Sequence, residues 1–386
     1  MPTRNSPDLL VVGAGVVGAA CAYYAARRGL QVTVLDRGSV AGGTTGAGEG
    51  NLLVSDKEPG PELELALHST QLWRELAEVL PSRIEYEAKG GLVVASDEKG
   101  LAALREFAAR QTAAGVTAEV VPGGRLGDLE PHLAPGLAGG VHYPQDAQVQ
   151  PALAAAHLLR AAGDRVSLRL GEEVTEILTG AHGEVRGVRT PSGDLHAPYV
   201  VNAAGTWGGE LARLAGVDLP VLPRRGFVLV TEPLPRLVRR KVYAADYVAD
   251  VASDSAALQT SAVVEGTPAG PVLIGASRER VGYDRSPSVE VLRRLAGQAV
   301  RLFPALATMR AVRTYAGFRP YLPDHLPAIG PDPRRPGLLH ACGHEGAGIG
   351  LAPATGRIIA ETLADGELPL DISPFRPDRF GGGEAG

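Results

Sequence analysis

The chain has 386 residues, of which 45% are hydrophobic and 21% charged, a size and composition suited to two interleaved domains. Its net charge of −5 and sequence pI of about 6.0 argue against nucleic acid as a main partner, because nucleic-acid-binding proteins usually present basic faces. Two cysteines cannot form a disulfide framework, and neither a signal peptide nor a transmembrane span is recognisable, which predicts a soluble, cytoplasmic protein.

The N-terminal part of the chain carries the pattern of a dinucleotide-binding unit. An apolar run at 8–12 predicts a buried strand, residues 19–28 predict a helix, and residues 31–35 predict a second strand. Gly-Ala-Gly-Val-Val-Gly, at 13–18, joins the first strand to the helix, and Asp36 ends the second strand, where it can accept hydrogen bonds from a ribose diol. An ordinary glycine-rich turn would not require this complete order of elements.

Each glycine of the turn has its own physical role. Gly13 allows the tight turn, Gly15 lets a pyrophosphate approach the backbone, and Gly18 lets helix and strand pack closely. The pyrophosphate would then sit on the positive N-terminus of the helix, beside Val16 and Val17.

Further along, helices and strands alternate before a strand-rich region. Helices are predicted at 62–80, 98–114, 151–162, 289–303 and 354–364. Strands are predicted at 91–95, 166–170, 173–177, 185–189, 196–202, 226–231, 256–261, 272–276 and 337–341. A glycine-rich loop is expected at 44–55, a mostly antiparallel sheet within 219–280, and a loose tail from 374 to 386.

This order predicts an α/β fold in which a mainly antiparallel-sheet substrate domain is inserted into a Rossmann-like cofactor-binding domain. The N-terminal unit needs later strands, near 166–205 and 337–341, to complete its sheet. The discontinuous cofactor domain is therefore expected at 1–80, 145–217 and 325–386. The substrate domain is expected at 81–144 and 218–324.

Four blocks of sequence carry a resemblance to a known family. They are residues 12–18 with Asp36, residues 201–207 with 219–226, residues 317–324 with 327–330, and residues 343–356. With these blocks, the chain resembles the FAD-dependent D-amino acid oxidase superfamily over roughly residues 8 to 370. This superfamily includes glycine oxidase, sarcosine oxidase and the flavin subunits of opine oxidase and hydrogen cyanide synthase. The blocks are much less specific for a substrate than for the superfamily.

The resemblance implies FAD as the cofactor, whereas the N-terminal turn alone is equally compatible with NAD. Non-covalent binding is expected, because Gly317 stands where covalent members of the superfamily have a cysteine. Besides Gly13, Gly15, Val16, Val17, Gly18 and Asp36, the resemblance assigns the cofactor to Arg37, Thr44, Thr45, Gly48, Gly50, Asn51, Leu52, Val174, Ala204, Gly205, Trp207, Arg319, Gly346, Gly348, Ile349 and Gly350.

The implied reaction is oxidation of a carbon–nitrogen bond in a small amino acid or secondary amine. A hydride leaves the α-carbon for flavin N5, giving an imine that water hydrolyses. A substrate carboxylate calls for the planar fork of an arginine, and the resemblance points to Arg319. A structural arginine in an interdomain salt bridge is the alternative.

Tyr247 is the second candidate for the carboxylate, with Tyr243 as its competitor and simple core packing as the alternative for either ring. His344, with Glu345, could contact the amine or tune the flavin, although a surface loop histidine is equally compatible with the sequence. Four residues could in principle bind a metal: His340, Cys342, His344 and Glu345. No metal site is expected, because side chains on alternate residues of one strand converge poorly on an ion.

Several functional alternatives stay open at this point. Electrons could pass to oxygen or to a partner redox subunit, as in a multi-subunit opine or amino acid dehydrogenase. A 2-hydroxy acid oxidase, or a flavoprotein without turnover of its own, would share most of the same features. The sequence is also compatible with an oligomer.

Overall fold

The computed structural model of the protein describes residues 6–245 and 255–380. Helices in these residues are α1 (Val16–Arg27), α2 (Pro61–Val79), α3 (Glu98–Ala113), α4 (Leu126–Leu129), α5 (Pro151–Ala161), α6 (Gly208–Leu214), α7 (Val289–Leu302) and α8 (Gly348–Leu363). Strands are β1 (Leu9–Val12), β2 (Val32–Asp36), β3 (Asn51–Leu52), β4 (Gly91–Ala95), β5 (Glu119–Pro122), β6 (Gly139–Tyr143), β7 (Ala147–Gln148), β8 (Val166–Leu170), β9 (Glu176–Thr179), β10 (Val185–Thr190), β11 (Gly193–His196), β12 (Tyr199–Asn202), β13 (Leu222–Thr231), β14 (Lys241–Ala244), β15 (Gln259–Gly266), β16 (Val272–Arg278), β17 (Ala311–Tyr321), β18 (Ala328–Pro331) and β19 (Leu338–Cys342).

A six-stranded sheet holds the N-terminal unit, in the order β18-β19-β12-β1-β2-β8. Its strands pair in parallel except for β18, which runs antiparallel to β19. β1 and β19 are buried along their whole length, which explains their continuous apolar sequences. Helices α1, α5 and α8 pack together with this sheet, and the small sheet β11-β10-β9 shares a second apolar cluster with it.

An eight-stranded sheet forms the other main layer, in the order β17-β13-β16-β15-β14-β4-β6-β5. Its neighbours pair antiparallel except β14 and β4, which run parallel. Helix α7 contributes its apolar face to a cluster with one side of this sheet. The mixed α/β architecture confirms the predicted fold class. None of the helices in the described ranges combines the length and apolar character needed to cross a membrane.

The last helix begins six residues earlier than predicted, at Gly348 rather than at residue 354. Pro353 lies inside it and has no N–H for the carbonyl one turn back, that of Ile349. The indole Nε1 of Trp73 donates to Ile349 O at 3.1 Å instead. A distant residue therefore supplies the hydrogen bond that the local sequence lacks.

Other elements also differ from the predictions. The strand predicted at 196–202 is divided between β11 and β12 on either side of Pro198, which lacks a donor for the sheet ladder. β9 and β15 are each shifted by three residues from the predicted starts, and β17 was not predicted as a strand. The prediction of a loose tail is wrong for residues 374–380, where Phe375 is fully buried. Residues 381–386 lie outside the described range.

Candidate active site

One cavity of about 1010 Å³ runs from the N-terminal glycine turn to the eight-stranded sheet. Gly13, Gly15 and Asp36 line one end, and Arg319 and His344 line the other. The cavity therefore brings together the two groups of residues that the sequence separates by about three hundred positions.

The glycine turn has the close contacts that its sequence predicts. Gly13 has a φ of +117° and a Cβ there would lie 2.3 Å from Ala203 O. A Cβ on Gly18 would lie 1.9 Å from Gly13 O, so Gly18 serves the packing of helix on strand. Gly15 is the N-cap of α1, has no side chain of its own to cap the helix, and faces the cavity. Of the first N–H groups of α1, that of Val16 donates to Thr45 Oγ1 at 3.0 Å. The turn thus leaves an open helix N-terminus towards the cavity.

Asp36 already holds the turn together. Its two carboxylate oxygens accept from Ala14 N at 2.8 Å and Gly38 N at 2.7 Å. A carboxylate offers about four lone-pair positions, so two backbone donors leave capacity for a ribose diol. Nearby, the guanidinium of Arg37 lies 4.4 Å from the Trp207 ring centroid, and both residues line the cavity.

Most of the predicted cofactor residues line the cavity. They are Gly13, Gly15, Val16, Val17, Asp36, Arg37, Thr44, Thr45, Gly48, Asn51, Val174, Ala204, Gly205, Trp207, Arg319, Gly346, Gly348 and Ile349.

Four predicted cofactor residues lie off the cavity and have other roles. Gly18 packs against the strand, and Gly50 makes room for Val149 O, which a Cβ would approach to 2.0 Å. Leu52 is a core residue of β3, only 2% exposed. The carbonyl of Gly350 accepts from Ser69 Oγ at 2.6 Å, so it belongs to the packing of α2 on α8.

The side chain of Arg319 runs between two glycines. Its Nη1 donates to Ser277 O at 2.8 Å, and a Cβ on Gly226 would lie 2.2 Å from the same nitrogen. On the other side, a Cβ on Gly346 would lie 3.5 Å from Arg319 Nε. Arg319 therefore depends on the absence of a side chain at Gly226, whereas at Gly346 a Cβ would make an ordinary contact. The dependence on Gly226 was not recognisable from the sequence.

Only one of the two tyrosine candidates, Tyr243, lies within the described residues. Tyr247 lies outside the described residues. Tyr243 is fully buried, does not line the cavity, and hydrogen-bonds through its hydroxyl to Ser55 Oγ.

His344 lines the cavity as a buried, neutral side chain. It is only 3% exposed, so the alternative of a surface loop histidine is wrong. Its Nε2 lies 3.0 Å from Thr355 Oγ1, and burial lowers its pKa to about 3.

Among the nearby side chains that could bind a metal, His340 Nε2 lies 3.1 Å from Asp332 Oδ2 and Cys342 is a buried free thiol. No metal-holding group of acids, histidines and cysteines occurs in the described part of the chain.

Glu345, beside His344, is part of a buried charge cluster. One oxygen accepts from Arg224 Nη1, and the other lies 3.0 Å from His325 Nδ1. Burial by itself would raise the pKa of Glu345, but the hydrogen bond from His325 and the charge of Arg224 lower it to about 2. Arg224 is the direct cross-strand partner of Arg319, so this cluster holds the strand that carries the predicted carboxylate ligand.

Glu49 is a cavity residue that the sequence reasoning missed. It is 8% exposed and lies in the predicted glycine-rich loop between Gly48 and Gly50. Burial raises its pKa, although the charge of Lys241 opposes that effect. The only signal in the sequence was an acidic residue between two glycines. Because a glutamate is rarely buried, that signal gave no reason to expect a buried carboxyl group.

The site fits an FAD molecule. The glycine cradle would be filled by any Cβ at Gly13, the uncapped start of α1 can hold a pyrophosphate, and the cavity extends beyond them to the second sheet. At Gly317 a Cβ would lie 2.6 Å from Ala47 Cβ, so this position has no room for a flavin-linked cysteine.

Known proteins are similar to this chain in sequence and in fold. The family described as FAD dependent oxidoreductase (DAO) matches residues 8–362. Hydrogen cyanide synthase subunit HcnC of Pseudomonas aeruginosa is 32% identical over 418 residues, covering 97% of this chain and 96% of that protein. Glycine oxidase of Geobacillus kaustophilus is 31% identical over 377 residues, covering 95% and 96%. A crystal structure of glycine oxidase from Geobacillus kaustophilus aligns with a TM-score of 0.87 at 29% identity, covering 97% and 99%.

The fold and the cavity define an α/β oxidoreductase that uses a flavin dinucleotide. The chain belongs to the FAD dependent oxidoreductase (DAO) family. It is accordingly an FAD-dependent oxidoreductase of amino acids or amines, and the predicted cofactor and family are confirmed.

Proposed function

We propose that the protein oxidises the carbon–nitrogen bond of a small α-amino acid or secondary amine, with FAD held non-covalently in the cavity. The observation that carries this proposal is that a single cavity joins the glycine cradle to Arg319. Bound FAD supplies the acceptor for the hydride that leaves the substrate's α-carbon. Similarity to glycine oxidase supports a small amino acid as substrate.

Arg319 binds the substrate carboxylate in this proposal. A guanidinium fork can donate two parallel hydrogen bonds to a carboxylate, and the hydrogen bond to Ser277 O fixes the direction of that fork. Because the reaction needs only a well-placed substrate beside the cofactor, orientation by Arg319 is the main contribution of this side chain.

The start of α8 and His344 form another part of the proposed site. Helix α8 has no side-chain cap, so the positive end of its dipole faces the cavity at Gly348 and Ile349. That end would stabilise the negative charge that the cofactor acquires on reduction. His344 stays neutral and keeps its hydrogen bond to Thr355, so it holds the loop before α8 without moving a proton.

The electron acceptor is proposed to be either oxygen or a partner redox subunit. Similarity to the HcnC subunit favours the partner, and an oligomer is compatible with both acceptors.

The domain boundaries predicted above, with substrate-domain segments 81–144 and 218–324, are part of the same proposal. A cytoplasmic setting stays a prediction, supported by two buried free thiols, Cys21 and Cys342.

Substitution of Arg319 tests the proposed substrate class. Arg319→Lys and Arg319→Ala should keep bound FAD but weaken binding of a reactive amino acid by about 10- to 100-fold, the value of a charge-assisted hydrogen bond. Arg313→Ala, an exposed arginine on the same strand, is the matched control. Faster reduction by 2-hydroxy acids than by amino acids, or no effect of Arg319→Ala, would overturn the proposal.

A further inference from the structure

The carboxyl group of Glu49 has one oxygen without a donor. Oε1 is buried and has no hydrogen-bond partner among the described residues. It occupies space that a glycine leaves open, because a Cβ on Gly275 would lie 2.5 Å from it. Buried polar atoms in native proteins are nearly always hydrogen-bonded, so this oxygen indicates a donor that is not part of the described chain.

The neighbouring cations do not supply that donor. Lys241 Nζ is 2.7 Å from Glu265 Oε2, in an ion pair that is itself buried. Lys241 and Arg319 act on Glu49 as nearby positive charges that lower its pKa. Nearby positive charge favours the ionised form of Glu49, burial opposes it more strongly, and Oε1 has no hydrogen bond from the described residues.

Glu49, a carboxyl group, and Arg319, a cation, line the same cavity, and their charges are opposite once Glu49 is ionised. In an α-amino acid the ammonium nitrogen and the carboxylate are separated by a single carbon, so a site with both charges is complementary to the zwitterion. We propose that Glu49 accepts a hydrogen bond from the substrate's α-ammonium group, which restricts the site to zwitterions of primary and secondary α-amino acids. This inference rests on the proposed function, in which Arg319 holds the carboxylate.

The ionisation of Glu49 makes this recognition depend on pH. The charged and titratable groups that face it are Lys241, Glu265, Arg319, Arg278 and Tyr315. Burial raises the pKa of Glu49 most, and the charge of Lys241 partly offsets that effect. The carboxylate form becomes more populated as pH rises, so the preference for an ammonium group should strengthen with pH until Glu49 is fully ionised.

Two isosteric ligands that cannot be oxidised test the inference on the holoenzyme. 2-Aminoisobutyrate has an ammonium group but no α-hydrogen, and pivalate has a methyl group in place of the ammonium. Their dissociation constants can be measured from the perturbation of the flavin spectrum or by calorimetry, without turnover. The wild type should bind 2-aminoisobutyrate about tenfold or more tightly than pivalate.

Glu49→Gln should abolish this preference, with pivalate bound as well as or better than before, because a buried negative charge has been removed. With a reactive amino acid it should raise KM more than it lowers kcat. Glu49→Asp should restore part of the preference, and the exposed Glu64→Gln, which keeps the cavity unchanged, should behave as wild type. The pH dependence of the preference should disappear in Glu49→Gln.

A second ligand pair distinguishes the α-ammonium from a more distant cation. If the wild type prefers 4-aminobutyrate to pentanoate but does not distinguish the first pair, Glu49 recognises a remote cation and the inference is overturned. Equal effects of Glu49→Gln on pivalate and 2-aminoisobutyrate would also overturn it. In either case, reduction of FAD by α-amino acids in the wild type would leave the proposed function intact; no reduction would reject that function separately.

Discussion

The guanidinium of Arg319 packs against Gly226, where a Cβ would be 2.2 Å from Nη1. The two residues are on paired strands, since Gly226 is opposite Gly317 and Arg224 is opposite Arg319 in β13–β17. The orientation of the proposed carboxylate ligand is therefore controlled by a glycine nearly a hundred residues away in sequence.

Gly226→Ala should displace the Arg319 side chain while FAD remains bound. The methyl group would lie 2.2 Å from Arg319 Nη1 and 2.6 Å from Ser277 O, the carbonyl that accepts from Arg319, so both must shift, and misplaced catalytic geometry is costly. We expect KM for a reactive amino acid to rise at least about tenfold, as for loss of a charged hydrogen bond. Steady-state kinetics with a check of the flavin-to-protein ratio provides the measurement. Unchanged KM would show that the position of Arg319 is unimportant for binding.

Gly15→Ala should lower the affinity for FAD without unfolding the protein. Its Cβ would have only Thr45 Oγ1 nearby, at 3.1 Å, and would otherwise enter the cavity. The backbone could then no longer approach a pyrophosphate closely. We expect the dissociation constant of FAD for the apoprotein to rise at least about tenfold, by analogy with loss of good hydrogen bonds to a charged group.

Gly124→Ala is the control for this experiment, because nothing lies within 4 Å of its Cβ position. Circular dichroism should show the same fold in all three proteins. If Gly15→Ala takes up FAD with wild-type affinity, the pyrophosphate does not lie at this turn.

The dinucleotide end of the site could be predicted from sequence because its information is local. A strand, a glycine turn and a helix N-terminus fix the backbone around Gly13 and Gly15 with few contributions from elsewhere. By contrast, Gly50 and Gly350 were assigned to the cofactor by the resemblance, and both lie off the cavity. Gly50 allows a close approach of Val149 O, and the Gly350 carbonyl accepts from Ser69 on another helix.

The substrate end required long-range information. Arg319 was found through a resemblance, but its supports at Ser277 and Gly226 depend on strand pairing that no local pattern encodes. Glu49 was missed for the same reason, since its burial results from packing against Gly275. The early start of α8 depends on Trp73, which replaces the hydrogen bond that Pro353 cannot donate. Tertiary contacts therefore decide most of what the sequence left undetermined.

Glu345→Gln should destabilise the protein by about 3–5 kcal/mol, the usual cost of leaving one member of a buried ion pair without its partner. Arg224, 1% exposed, would lose its anionic partner. Because the pKa of Glu345 is lowered from 4.5 to about 2, its stabilisation is complete above pH 4.5 and is lost as pH falls towards 2. Chemical denaturation at pH 7 should detect the loss, and Arg224→Met with Glu345→Gln should recover much of it. Equal stability of Glu345→Gln and wild type would refute this role.

Asp146→Asn should change how stability depends on pH. The buried Asp146 accepts from Val54 N at 2.9 Å and Ser55 N at 3.3 Å, and burial raises its pKa from 3.8 to about 7. Its contribution is therefore complete below pH 3.8 and is lost as pH rises through 7, by roughly 4 kcal/mol at most.

The free energy of unfolding, measured from pH 5 to pH 8, should fall more steeply with pH in the wild type than in Asp146→Asn. Comparing the two slopes cancels the other titrating groups. The exposed Asp164→Asn should retain the wild-type slope. Identical slopes in all three proteins would mean that Asp146 is ionised throughout this range.

Anaerobic titration of the purified FAD-loaded protein with substrates tests the central claim most directly. Absorbance at the visible flavin maximum should fall on addition of a small α-amino acid or secondary amine from a panel that includes glycine, sarcosine, proline derivatives, opines and D-amino acids. It should fall far less with the corresponding 2-hydroxy acids, and Arg319→Ala should require much higher substrate concentrations. A folded protein that takes up no FAD, or whose bound FAD no member of the panel reduces, would contradict the account.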